Sequence, residues 1–279
     1  MARNFSYETA AGHRLALTLF GNQAFDQQPC LVYAHGFKGF KDWGFVPHAA
    51  TYLARAGFSV ITFNFSHNGI GPDGETFSET EAFAQNTLSL ELTELEEVLH
   101  LAAHTDFFGA YLRHPLGLIG HSRGGGLALL AGAASREVRA VCSWAAVSTF
   151  ERYSKQVRAD WREKGFLEVV NSRTGQVLHM NQTFLDDLEA HAADRLNVMK
   201  AVKEMNKPLL ILHGAEDETV PYFEAEQLNI FADPARTEMR LIPRAGHTFG
   251  AVHPFAGTTP ALEELLTRTE AFFVSHLKA

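Results

Sequence analysis

Ser122 stands in Gly120-His121-Ser122-Arg123-Gly124, with the apolar run Leu116–Ile119 before it and the apolar, helix-like run Leu127–Leu130 after it. That order reads as a strand, a sharp turn and a helix, a layout that lifts a serine hydroxyl above the edge of a sheet. The flanking glycines let strand and helix approach closely. A serine hydroxyl is a poor nucleophile at neutral pH, so acyl-transfer chemistry needs a base to take its proton and a third group to orient that base. The expected base is His247, in the glycine-flanked loop Arg244-Ala245-Gly246-His247-Thr248-Phe249-Gly250. The expected orienter is Asp217, in His213-Gly214-Ala215-Glu216-Asp217-Glu218-Thr219-Val220-Pro221. The chain has fourteen histidines, so position has to decide among them. His253 competes with His247 but precedes Pro254 and lies further from the strand end. Glu216 and Glu218 compete with Asp217, which is favoured by its offset from the His213-Gly214 pair.

An acyl-transfer site also needs N–H donors for the oxyanion that develops in the transition state. The backbone N–H of Arg123, directly after the serine, is one candidate. The other is Phe37, in the loop His35-Gly36-Phe37-Lys38-Gly39-Phe40, with His35 itself read as a structural loop residue.

The elements that must carry these groups follow from periodicity. Phe5–Thr9 and Leu15–Phe20 read as an opening hairpin, and Cys30–Ala34, Ser59–Phe63, Val138–Ala146, Leu209–Leu212 and Met239–Ile242 as short apolar strands. Helical spacing covers Pro47–Ala56, Ser78–His104 and Pro260–Leu277. Alternating strands and helices, with strands apolar throughout, predict an α/β fold with a mostly parallel sheet covered on both faces. About sixty residues between Ala146 and Leu209 exceed a single crossover helix. Within them Phe150–Lys164 reads as a helix. Leu167–Val170 and Gln176–Met180 read as a hairpin, and Gln182–His191 and Arg195–Glu204 as helices. The expected division is a core of residues 1–148 and 206–279 and an inserted lid of 149–205, with the lid over the carboxyl end of the sheet. Phe40 and Trp43 beside the oxyanion loop, Phe150, Trp161, Phe166, Met180 and Phe184 in the insert, and Phe249 beyond the base are expected to wall an aromatic cleft.

Composition narrows the partners. The chain of 279 residues carries a net charge of -8 and no basic stripe, which argues against nucleic acid. No apolar stretch approaches the ~20 residues of a membrane span, and the polar start Met1–Glu8 lacks a signal-peptide core. Cys30 and Cys142 read as buried free thiols, which fits a reducing cytoplasm. No metal is expected, since no His-Glu-x-x-His occurs and His100 and His104 have no evident third ligand. Nucleotide binding is disfavoured because Gly120–Gly126 lacks the Lys-Ser/Thr of a P-loop.

Together, His35-Gly36-Phe37, the serine pentapeptide, His213–Asp217 and Gly246-His247 resemble the α/β-hydrolase superfamily. Within it the chain looks like the dienelactone-hydrolase-like and cinnamoyl (feruloyl) esterase-like serine esterases. The resemblance implies an eight-stranded sheet, a triad of Ser122, Asp217 and His247, and an oxyanion hole of Phe37 and Arg123. It implies no cofactor and a small-molecule ester as partner, with a homodimer left open. Two departures stand out. Dienelactone hydrolases usually carry a cysteine nucleophile, and many relatives have an Asp-x-x-Gly-x-Gly segment where this chain has Asn64–Gly71. The implied activity is hydrolysis of carboxylic esters of small acyl or aryl groups through an acyl-enzyme. The alternatives are a thioesterase, a lactonase or a carbon–carbon hydrolase on the same residues. A catalytically silent binding protein is the remaining reading, against which an intact triad argues.

Overall fold

The computed structural model describes residues 1–21 and 23–278; Asn22 and Ala279, both within the expected core range, lie outside them. The chain opens with the antiparallel pair β1 (Ala2–Glu8) and β2 (Arg14–Phe20). It continues through β3 (Cys30–Ala34), α1 (Val46–Arg55), β4 (Ser59–Phe63), α2 (Thr80–Ala84), α3 (Leu88–His104) and β5 (Leu116–His121). After α4 (Arg123–Ala134) and β6 (Val138–Trp144) comes an insert of α5 (Lys155–Lys164), β7 (Phe166–Val170), β8 (Val177–Asn181), α6 (Gln182–His191) and α7 (Val198–Glu204). The chain closes with β9 (Leu209–Gly214), α8 (Phe223–Phe231), β10 (Thr237–Ile242) and α9 (Pro260–Leu277).

Eight strands form one sheet in the order β1-β2-β4-β3-β5-β6-β9-β10. It is parallel from β4 to β10, and β2 meets β4 antiparallel. Strands buried on both faces divide their side chains between two cores. Val32, Ala34 and Leu118 face a cluster with α3 and α4, while Leu31, Tyr33 and Ile119 face one with α1 and α9. This is why the strands read as unbroken apolar runs rather than alternating ones. Cys30 and Cys142 are buried free thiols in β3 and β6. Among the described residues no helix is long and apolar enough to cross a membrane.

Three expected helices begin elsewhere, each at a capping side chain. The span Ser78–His104 is two helices, because Thr87 leaves helical geometry and its hydroxyl accepts the Leu90 N–H at 3.1 Å. A threonine in this role satisfies an N–H that a new helix would otherwise leave unpaired. Ser154 caps α5 in the same way, so Phe150–Tyr153 is not helical. Asn197 caps α7, so Arg195 and Leu196 lie outside it. In the insert, β7 and β8 pair antiparallel as a separate two-stranded sheet.

Candidate active site

Ser122 occupies the turn between β5 and α4 with φ 59° and ψ -121°, a left-handed conformation rare for a residue with a side chain. The turn is over-determined. The Ser122 N–H donates to Trp144 O at 2.9 Å, and Gly125 and Gly126 donate to Ser122 O at 2.9 and 3.2 Å. A Cβ on Gly120 would strike the Gly124 carbonyl, and one on Gly124 would strike that of His35. Strand and helix thus pack at a distance that only glycine permits.

The loop after β10 carries His247 back across the sheet edge, with Nε2 at 2.9 Å from Ser122 Oγ. Its Nδ1 lies 2.8 Å from Asp217 Oδ2, on the loop after β9. The network assigns the proton to Nδ1, which donates to the carboxylate and leaves Nε2 to accept from the serine hydroxyl. Asp217 Oδ1 accepts the N–H groups of Thr219 and Val220, both at 2.9 Å. Burial works against the Asp217 charge, but the hydrogen bond and charge of His247 and the Val220 N–H outweigh it. Its carboxyl stays below the ordinary carboxylate value. Glu216 and Glu218, the competing carboxylates, are exposed. His253 is elsewhere, accepting the Gly44 N–H at 2.9 Å.

Two buried histidines brace this arrangement, and the sequence reading assigned neither a role. His121 Nε2 donates to His247 O at 2.9 Å, and burial holds its imidazole down to about 3, so it stays neutral. His213 Nε2 donates to Val220 O at 2.7 Å, beside Asp217.

The loop after β3 comes against the serine. A Cβ on Gly36 would lie 2.9 Å from Ser122 Cβ, so this approach also requires glycine. His35 Nδ1 donates to Gly36 O at 2.9 Å, and Phe65 N–H points at its Nε2 at 3.4 Å. His35 is therefore a strut for the loop, as its structural reading expected. The backbone N–H groups of Phe37 and Arg123 meet no acceptor among the described residues.

A cavity of about 600 Å³ opens above Ser122. Phe40 and Trp43 line it, as expected, and Phe37 joins them. Phe150, Trp161, Phe166, Met180, Phe184 and Phe249 do not, which corrects the aromatic cleft. Trp161 and Phe184 stack on each other with centroids 5.9 Å apart, and Met180 and Phe150 are buried with them in the core. Phe249 is fully buried in the other cluster, and Phe166 stacks on His179. These side chains gain more by packing the insert to the body than by facing a wet cavity. In their place the wall includes Lys38, Arg123, Arg152 and Arg173, with Tyr153, Asn171 and Ser172. Arg123 lies 3.5 Å from buried Glu91, with its guanidinium 3.9 Å from the Phe37 ring centroid. Arg152 pairs with Glu224, and Lys38 Nζ donates to Val170 O at 2.8 Å.

Residues 31–260 match the Alpha/beta hydrolase family, and the chain belongs to that family. Among individual proteins, it is similar to "Putative esterase YitV" of Bacillus subtilis (strain 168), at 28% identity over 195 residues, 70% of each chain. The fold is that of Est1E from Butyrivibrio proteoclasticus (18% identity, 98% of both chains, TM-score 0.70). It is equally that of the alpha/beta hydrolase GrgF from Penicillium sp. sh18 (18% identity, 100% of both chains, TM-score 0.75).

Proposed function

We propose that this hydrolase is a serine esterase. The observation that carries the reading is the continuous chain Ser122 Oγ–His247–Asp217, at 2.9 and 2.8 Å, on the strained turn between β5 and α4. Ser122 attacks the ester carbonyl while His247 Nε2 takes its proton. Asp217 holds the imidazole in that tautomer and stabilises the imidazolium. The unpaired N–H groups of Phe37 and Arg123 receive the oxyanion, each donor being worth about 2.7–4 kcal/mol in comparable sites. His247 then returns the proton to the leaving alcohol, and water releases the acyl-enzyme by the same steps.

The substrate is a small ester with an aromatic or polar acyl group. Phe37, Phe40 and Trp43 offer ring surface; of the cations in the wall, Arg123 and Arg152 are paired with Glu91 and Glu224, which leaves Lys38 and Arg173 to meet a polar or acidic group. That balance suits a second acidic or hydroxyl group on the substrate better than a long alkyl chain. Est1E, which shares the fold, is known also with ferulic acid bound. The insert between β6 and β9 acts as a lid, since Tyr153, Asn171, Ser172 and Arg173 come from it to the cavity wall.

The test is hydrolysis of p-nitrophenyl esters from acetate to laurate, with methyl ferulate and monoesters of dicarboxylic acids, by the wild type and Ser122→Ala. Turnover should favour short or acidic acyl groups, and Ser122→Ala should lower kcat by about 10⁶ with the fold unchanged. A loss below about tenfold would remove Ser122 from the mechanism.

A further inference from the structure

Away from the cavity, three side chains from separate elements converge. His13 comes from the turn between β1 and β2, His67 from the loop after β4, and Glu94 from the middle of α3. Each offers one ligand atom, and these atoms all lie within 4.8 Å of one another. None of the three residues lines the cavity above Ser122. Among the described residues His13 Nδ1 is buried without a hydrogen-bond partner, 3.6 Å from Glu94 Oε1. The imidazole rings of His13 and His67 meet edge to face with centroids 4.7 Å apart. The Glu94 side chain is 2% exposed and that of His13 33% exposed, so the cluster is closed beneath and open to water above.

We propose that His13, His67 and Glu94 form a binding site for a divalent transition-metal ion, zinc above all. Two imidazole nitrogens and one carboxylate oxygen are a donor set suited to zinc, with one or more positions left for water. Nitrogen donors disfavour magnesium and calcium, which take oxygen. An ion here gives the unpartnered His13 Nδ1 a bond and sets a positive charge against a carboxylate that burial has stripped of water. The neighbours already hold two of the ligands in place. Ser66 N–H donates to Glu94 Oε2 at 2.9 Å, and Ser66 Oγ lies 2.6 Å from His67 Nδ1. Such partners fix the orientation of metal ligands.

The ion acts as a fastener. It joins the hairpin of β1 and β2, the loop of Asn64–Asn68, and α3. That loop reaches toward the active site, since Phe65 N–H points at His35 Nε2 and His35 holds Gly36.

The experiment titrates metal-free full-length protein with zinc chloride by calorimetry and follows thermal unfolding with and without zinc. His13→Ala and His67→Ala are compared with His104→Ala, a control for the other histidine pair, His100 and His104, on α3. The wild type and His104→Ala should bind zinc alike and be stabilised by it. His13→Ala and His67→Ala should each weaken that binding at least about tenfold, since loss of even an outer-shell partner of a metal site costs about that much, and lose the stabilisation. Both variants alter partly exposed side chains and leave buried Glu94 untouched, so they should remain folded. Zinc binding and stabilisation unchanged in both variants, or no zinc binding by the wild type, would overturn the assignment.

Discussion

His121→Gln tests whether the brace behind His247 is a neutral, buried imidazole. Burial, with the neighbouring His247, holds the His121 ring at about 3 against an ordinary 6.5. In the unfolded chain the ring takes a proton near its ordinary value, while in the folded chain it resists one. Between those values the unfolded state binds more protons, so stability is full above 6.5 and is lost as pH falls toward about 3. From about pH 7.5 to about pH 5 this one imidazole should cost about 2 kcal/mol. His35, held at about 4 chiefly by burial, adds a similar loss of about 2 kcal/mol in both proteins. Glutamine keeps an N–H to offer to His247 O and removes the titrating ring. Urea unfolding followed by tryptophan fluorescence at the two pH values gives the comparison. The wild type should lose about 2 kcal/mol more than His121→Gln over that interval. Equal losses, with unchanged m-values, would refute a buried His121 that stays neutral across this interval.

Asp217→Asn should lower kcat by about 10⁴, because the amide favours the wrong tautomer of His247. Glu216→Gln and Glu218→Gln, at exposed positions, should leave it near wild type, and a larger effect at either would move the role. Gly36→Ala would place a Cβ 2.9 Å from Ser122 Cβ and 3.1 Å from His121 O. The displaced loop should cost about a hundredfold in kcat and, by overpacking a buried contact, about 1–3 kcal/mol of stability with the protein still folded. An active Gly36→Ala enzyme would separate this loop from the reaction.

The strands were legible nearly to the residue where burial on both faces made them continuous, as in Cys30–Ala34 and Ser59–Phe63. Helix starts were legible for α6 and α9 but not for α3, α5 and α7. Apolar spacing runs on through Thr87 and Ser154, and only the capping hydroxyl says that the chain has left the helix. Ser122, Asp217 and His247, which the structure brings within hydrogen-bond reach of one another, each follow a strand end in the parallel sheet, and that position singles them out in the sequence. The cavity wall could not. Trp161 and Phe184 are apolar in the sequence, but their direction depends on stacking against each other. Lys38, Arg123, Arg152 and Arg173 come from four separate segments with no shared spacing. His13, His67 and Glu94 are likewise invisible to spacing rules, since three different elements deliver them.

Cys30 and Cys142 sit in two of the central strands, each with no exposed surface. Burial pushes both thiols up, that of Cys142 to about 12. A thiol reagent needs both access and thiolate, and the native sheet denies it both. Reaction of either sulfur therefore waits until β3 or β6 parts from its neighbours. The two cysteines are internal timers, and their rate of labelling reads how often the middle of the sheet opens, independently of anything that happens at the cavity.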